Sequence, residues 1–185
     1  MAEYYLISQL PSLDGMSESA PLPITEERFS ELCHRFLGKK AQADFEKITL
    51  LPPRNAEKTG SALIDAWNAY EQNLRLALAK VRAEKLKKTF DAGNAVLSPE
   101  LMQTARTAAD FESPMEAERF LNDIRLNFLE TLRPMDSFSE DFVFYYGIKL
   151  KLISRIRQFD KISGEAAYKN IYNSIINGDS LEALQ

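Results

Sequence analysis

The chain has 185 residues, 45% of them hydrophobic, enough to bury a core as one helical domain or as two closely packed lobes, 1–95 and 96–185. A formal net charge of −4 and a pI near 5.2 exclude a general nucleic-acid binder, whose footprint would be globally basic. One cysteine excludes a disulfide framework, and Cys33-His34 supplies too few ligands for a four-coordinate zinc site, so no metal and a reducing cytoplasm are expected.

Tyr4 to Leu10 is short, apolar and readable as strand or helix. Pro11, Pro21, Pro23, Gly15 and three serines then mark residues 11–24 as a loop, the best linker candidate in the chain. Thr25 is placed to cap a helix whose acidic first turn, Glu26 and Glu27, suits the helix dipole. Phe29, Leu32, Cys33, Phe36 and Leu37 are its expected buried face, with Gly38 as its stop. A shorter helix is predicted from Ala41 to Leu50, ahead of Pro52-Pro53.

From Thr59 or Ser61 a long helix carries Leu63, Trp67, Tyr70, Leu74, Ala77 or Leu78, and Val81 on one face. Its end, Arg82 to Lys88, is mostly charged and reads as a solvated tip that projects from the body. Gly93 and Asn94 make the next turn. Ser98-Pro99-Glu100 and Ser113-Pro114-Met115-Glu116 each pair a capping serine with proline at the first helical position. The second of these helices is expected to bury Phe120, Ile124, Phe128, Leu129 and Leu132.

Phe138, Phe142, Tyr145, Ile148, Leu152, Ile156 and Phe159 recur in steps of three and four, and a second ridge at Tyr146, Leu150 and Ile153 widens the apolar surface beyond one stripe. The spacing predicts a central helix covered on more than one side. Lys149, Lys151, Arg155, Arg157 and Lys161 fall in its second half, where they serve either as helix-surface cations or as a partner-facing patch. Gly164 is the expected break before a last amphipathic helix through Tyr168, Ile171, Tyr172, Ile175 and Ile176. No alternating β-branched run stands between turn signals, so the fold class is all-α: a helical bundle built on two long amphipathic helices. Leu78-Ala79-Lys80-Val81-Arg82 echoes Ile153-Ser154-Arg155-Ile156-Arg157, with Tyr70 and Tyr145 earlier at a similar distance. Amphipathic helices converge on such strings, and a duplicated helical unit would also leave them.

Catalytic equipment is hard to find in this sequence. The seven glycines spell neither G-x-x-x-x-G-K-S/T nor G-x-G-x-x-G, so no phosphate loop and no nucleotide cofactor are expected. His34 lies in an ordinary amphipathic pattern with no nucleophile elbow around any serine. Asp136, Glu140 and Asp141 stand where carboxylates stabilise the exposed amides of a helix start. Lys80 to Lys88 is interrupted by Glu84 and lacks interleaved aromatics for base stacking. No run reaches bilayer-spanning length, and Met1-Ala2-Glu3 has no secretion-signal character, so a soluble chain is expected.

Two stretches carry a family resemblance. Tyr145-Tyr146, Lys149, Ile153 with Ile156-Arg157, Lys161, Gly164 and Ile171 resemble the C-terminal signature of the central-stalk connector of V-type and A-type ATPases, a family found in prokaryotes and eukaryotes. The chain departs from that signature at Leu150, Leu152 and Arg155, and the connectors are longer, with three repeated helical units. Tyr4 to Leu13, followed by Thr25 to Leu32, resembles the opening Y-Y-L-V-A-x-L-P-x-L of a short family encoded within bacterial V-type ATPase operons. The resemblance implies a non-catalytic accessory or connector protein of the ATPase, which couples the stalk to the membrane rotor ring. Its partners would be other ATPase subunits, with no nucleic acid, and its place the cytoplasmic face of the membrane. A helical adaptor or assembly factor, absent from the finished complex, is the alternative.

Overall fold

The structure is a computed structural model, and it describes residues 2–15, 21–91, 95, 97–158 and 161–182. Among these the architecture is all-α, with α1 Ala2–Ser8, α2 Glu26–Phe36, α3 Lys39–Glu46, α4 Ala62–Lys85, α5 Pro99–Asp110, α6 Pro114–Thr131, α7 Glu140–Arg157 and α8 Lys161–Glu182. The ambiguous first segment is helical. No described helix is long and apolar enough to cross a membrane.

Five helices start on a side-chain cap that accepts from a backbone amide otherwise left without a partner. The pairs are Thr25 with Arg28, Ser61 with Ile64, Ser98 with Leu101, Ser113 with Glu116 and Ser139 with Phe142. Asp136 closes the turn before α7 by accepting from the Phe138 amide at 2.9 Å, and Asp141 accepts from the Ser61 hydroxyl at 2.5 Å. That second bond ties the starts of α4 and α7 together. The turn expected at Gly93 and Asn94 lies outside the described residues, as does Phe159.

α7 is the innermost element. Every residue from Val143 to Leu150 is buried, and so is Leu152. A helix closed on all its faces must be wrapped, and α2, α4 and α6 pack around it. Gly147 makes the closest of these approaches possible, since a Cβ there would lie 3.0 Å from the Phe29 ring of α2. The buried apolar residues form two clusters. One joins α1, α2, α3 and α7 to the start of α4 and the end of α6; the other joins the second half of α4 to α5 and the start of α6. Each cluster therefore draws residues from both sides of position 95.

The structure differs from the sequence reading at several points. α3 begins at Lys39, on Gly38 as its cap, two residues earlier than expected, and ends at Glu46. Phe138 precedes α7 and is exposed, stacked on Tyr4 at 4.7 Å. Gly164 lies inside α8, which begins at Lys161, and α7 ends at Arg157. The charged tip of α4 is tied down by Lys85, which donates to the Ala109 carbonyl and pairs with Asp110 at 2.9 Å. On α6 the buried positions are Leu121, Asn122, Arg125 and Leu129, whereas Phe120, Ile124, Phe128 and Leu132 are half-buried.

Arg125 is inside because its charge is met there. Its guanidinium donates to both Glu71 carboxylate oxygens, at 2.9 and 3.1 Å, to Asn122 at 3.0 Å and to Glu118 at 3.4 Å. Glu118 accepts in turn from Arg155 at 2.6 Å, so one polar chain crosses from α4 through α6 to α7. Removing one partner of a buried pair strands the other charge. Glu71→Ala is therefore expected to lower unfolding stability in urea by about 3–5 kcal/mol. Arg28→Ala, which breaks the exposed Arg28–Glu31 pair, should cost under about 1 kcal/mol, and equal losses would show that Arg125 finds another partner.

Candidate partner-binding surface

The five cations of the predicted patch do not share one surface. Lys149 is buried, and its ammonium donates to Asp14 at 2.5 Å, to Glu130 at 2.6 Å and to the Tyr145 hydroxyl at 3.2 Å. Lys151 is half-exposed and pairs with Glu26 at 3.3 Å. Arg155 is bound to Glu118, Arg157 is half-buried, and the side chain of Lys161 lies outside the described residues. The helix-surface role weighed for Lys151 and Arg155 includes ion pairs within the fold, and Lys149 is committed to the interior.

The cluster around Lys149 fastens the start of the N-terminal loop. Tyr145 donates to Glu130 at 2.7 Å, and the neighbouring Tyr146 hydroxyl donates to the Pro11 carbonyl at 2.9 Å. Tyr145, Tyr146 and Lys149 thus hold Pro11 and Asp14, so the two stretches that carry the family resemblance meet in space. Sequence reasoning missed Asp14 and Glu130. The one signal for this cluster in the sequence is the spacing of four between Tyr145 and Lys149, which puts both on one helix face.

The electrostatics of this cluster follow from its bonds. The hydrogen bond from Lys149 holds the Asp14 carboxyl below its ordinary value. Burial pushes the Glu130 carboxyl up, but the bonds from Lys149 and Tyr145 outweigh it and Glu130 is lowered as well. Burial alone would depress Lys149, yet its bonds to Asp14, Glu130 and Tyr145 raise it above the usual lysine value. Burial, with the bond to Glu130, pushes Tyr145 up to about 12.

The nucleophile and acid-base candidates are occupied or unremarkable. Cys33 is buried and its thiol is pushed up to about 12 by that burial, which keeps it protonated. His34 sits edge-on to Phe45 at 6.2 Å, and Asp136 is engaged in its turn. No cluster with metal-ligand potential occurs among the described residues.

Several of the exposed large apolar residues lie on α8, where every side chain from Gly164 to Ile176 is exposed. Tyr168, Ile171, Tyr172 and Ile175 lie along one side of the helix, 68%, 61%, 52% and 59% exposed, and the two tyrosine rings stack at 6.1 Å. Between Gly164 and Ile176 the helix gains nothing from tertiary packing, the main source of helix stability in proteins. Such a stripe on the outside marks a surface made to be covered.

The lowered carboxylates stabilise the fold above their unfolded titration range and give that up as pH falls through the lowered folded values. Lys149, being raised, keeps its contribution until the pH passes above its folded value. Proteolysis within residues 11–15 is therefore expected to be flat around neutral pH and to accelerate only below about pH 4. Lys149→Met should accelerate it at neutral pH and cost about 1–2 kcal/mol in urea, the low end of an unmade buried bond because Asp14 and Glu130 are 56% and 41% exposed. Unchanged cleavage in that variant would show the loop is held by other contacts. In comparisons with known proteins, no family model, no curated protein and no solved structure matches the chain.

Proposed function

We propose that the chain is a non-catalytic accessory or central-stalk connector protein of a bacterial V/A-type ATPase, held at the cytoplasmic face of the membrane through its partner subunits and coupling the stalk to the rotor ring. The observation that carries this reading is the exposed stripe of α8, which suits a helix laid into an apolar groove of another protein of the complex. Covering its half-exposed side chains contributes on the order of 1 kcal/mol each before ordering costs, several kcal/mol in all. The family resemblance supplies the identity of the partner. A mechanical joint needs stiffness and matching surfaces, and the wrapped α7 with its cross-linked neighbours supports the first requirement. In this reading α4 and α7 are the paired rods of a bundle built on two long amphipathic helices, whose similar strings either converged or descend from a duplicated unit.

The alternative reading, an adaptor or assembly factor that leaves the finished complex, is favoured by one feature. A helix with every side chain from Gly164 to Ile176 exposed orders fully only when bound, and segments that pay their ordering entropy on binding release readily.

Native membranes stripped at low salt and then solubilised in detergent discriminate the two readings. A permanent component travels with the ATPase in fixed proportion, an assembly factor appears only with immature complexes, and a chain found with neither has another function. Ile171→Asp with Ile175→Asp is expected to reduce association at least about tenfold while leaving the melting temperature unchanged, because neither side chain touches the core. Retained association would remove α8 from the interface.

A further inference from the structure

A second docking surface lies on the side of α4 turned away from the core. Leu76, Ala79 and Ala83 recur there in steps of three and four, the spacing of a coiled-coil seam, with Leu86 just past the helix end, and none of them is buried. Arg75 and Arg82 each precede the first residue of a pair, the flanking position from which charged side chains reach across to a facing helix. Both arginines are exposed and stand about 10 Å apart along the helix at 1.5 Å per residue. Ala79 and Ala83 leave room for the close approach of a second helix axis.

The first half of this surface is concave. The segment from Leu51 to Asn55 runs beside α4, bounding an open groove of about 810 Å3 that takes in Arg75, Leu76, Ala79 and Arg82 and stops short of Ala83 and Leu86. This wall is fixed in place: Gln72 donates to the Pro53 carbonyl at 2.6 Å and Arg75 to the Pro52 carbonyl at 3.2 Å. Arg54 projects from it as a third guanidinium. Among the described lining residues the only carboxylate is Asp91, which already has an interaction of its own. Arg54 and Arg82 make no ion pair among the described residues. A locally basic groove in a chain of net charge −4 selects for a partner of the opposite sign.

We infer that this groove docks an acidic amphipathic helix of a partner protein, with carboxylates spaced seven residues apart and small or branched apolar residues between them. Leu76 and Ala79, between Arg75 and Arg82, offer an apolar contact that a phosphate group would leave unused, which favours a helix. The described lining holds no aromatic ring on which a base could stack, which decides against single-stranded nucleic acid. The site is separate from α8 and stands whether or not the ATPase reading does.

The test measures fluorescence anisotropy of a labelled helical peptide with leucine on its seam and glutamate at the flanking positions, titrated with the full chain. Binding is expected to weaken steeply with added salt. Arg54→Glu with Arg82→Glu should weaken it at least about tenfold, the loss of two charge-assisted contacts, with the melting temperature unchanged because both side chains are exposed. Ile171→Asp with Ile175→Asp should bind the peptide as the unaltered chain does. No binding, equal binding of a peptide with lysine in place of glutamate, salt-independent binding, or preferential binding of a thymidine oligonucleotide would each overturn the inference. The lysine peptide and the salt titration use the unaltered chain, so they decide the matter even where the charge-reversed variant fails to fold.

Discussion

The enclosure of α7 is the constraint from which the rest of the arrangement follows. Eight consecutive buried positions leave a helix no face for water, so neighbours must cover it on every side and every polar group it carries must be answered inside. Lys149 sits within that run and is answered by Asp14, Glu130 and Tyr145. Gly147 sits there too and gives Phe29 the depth to close the wrapping from the α2 side. The cost of a buried cation is thereby turned into an anchor for a loop 135 positions away in the chain.

Much of the fold was legible because helix starts are written locally. Thr25, Ser98 and Ser113 cap where the sequence places them, and the two serine–proline starts fall at the residue expected. What escaped was whatever depends on a partner far along the chain. Periodicity assigns polar residues to the surface, so it leaves Asn122 and Arg125 out of the core although Glu71, 54 positions from Arg125, makes their burial tolerable. Lys149 looks like a surface cation for the same reason. Gly164 looks like a break because glycine costs about 1 kcal/mol in a helix interior, yet one such residue does not end a helix.

The candidate site shows the same division. The stripe of α8 is visible as an amphipathic pattern, but a pattern does not say whether its apolar side meets its own core or another molecule. Tyr145, Tyr146 and Lys149 stand out by resemblance, and their work lies within the chain: they join the N-terminal stretch to the central helix. Two stretches far apart in the sequence are thus one piece of structure. Their pairing bears on the shape of the body.

α7 ends at Arg157 and α8 begins at Lys161, so a helix with eight consecutive buried positions is followed in the chain by one whose side chains from Gly164 to Ile176 are all exposed. Force applied to α8 passes along the backbone to the C-terminal end of α7, which α2, α4 and α6 hold in place. Chain order alone therefore makes the most enclosed helix of the body the one that a load on α8 reaches first.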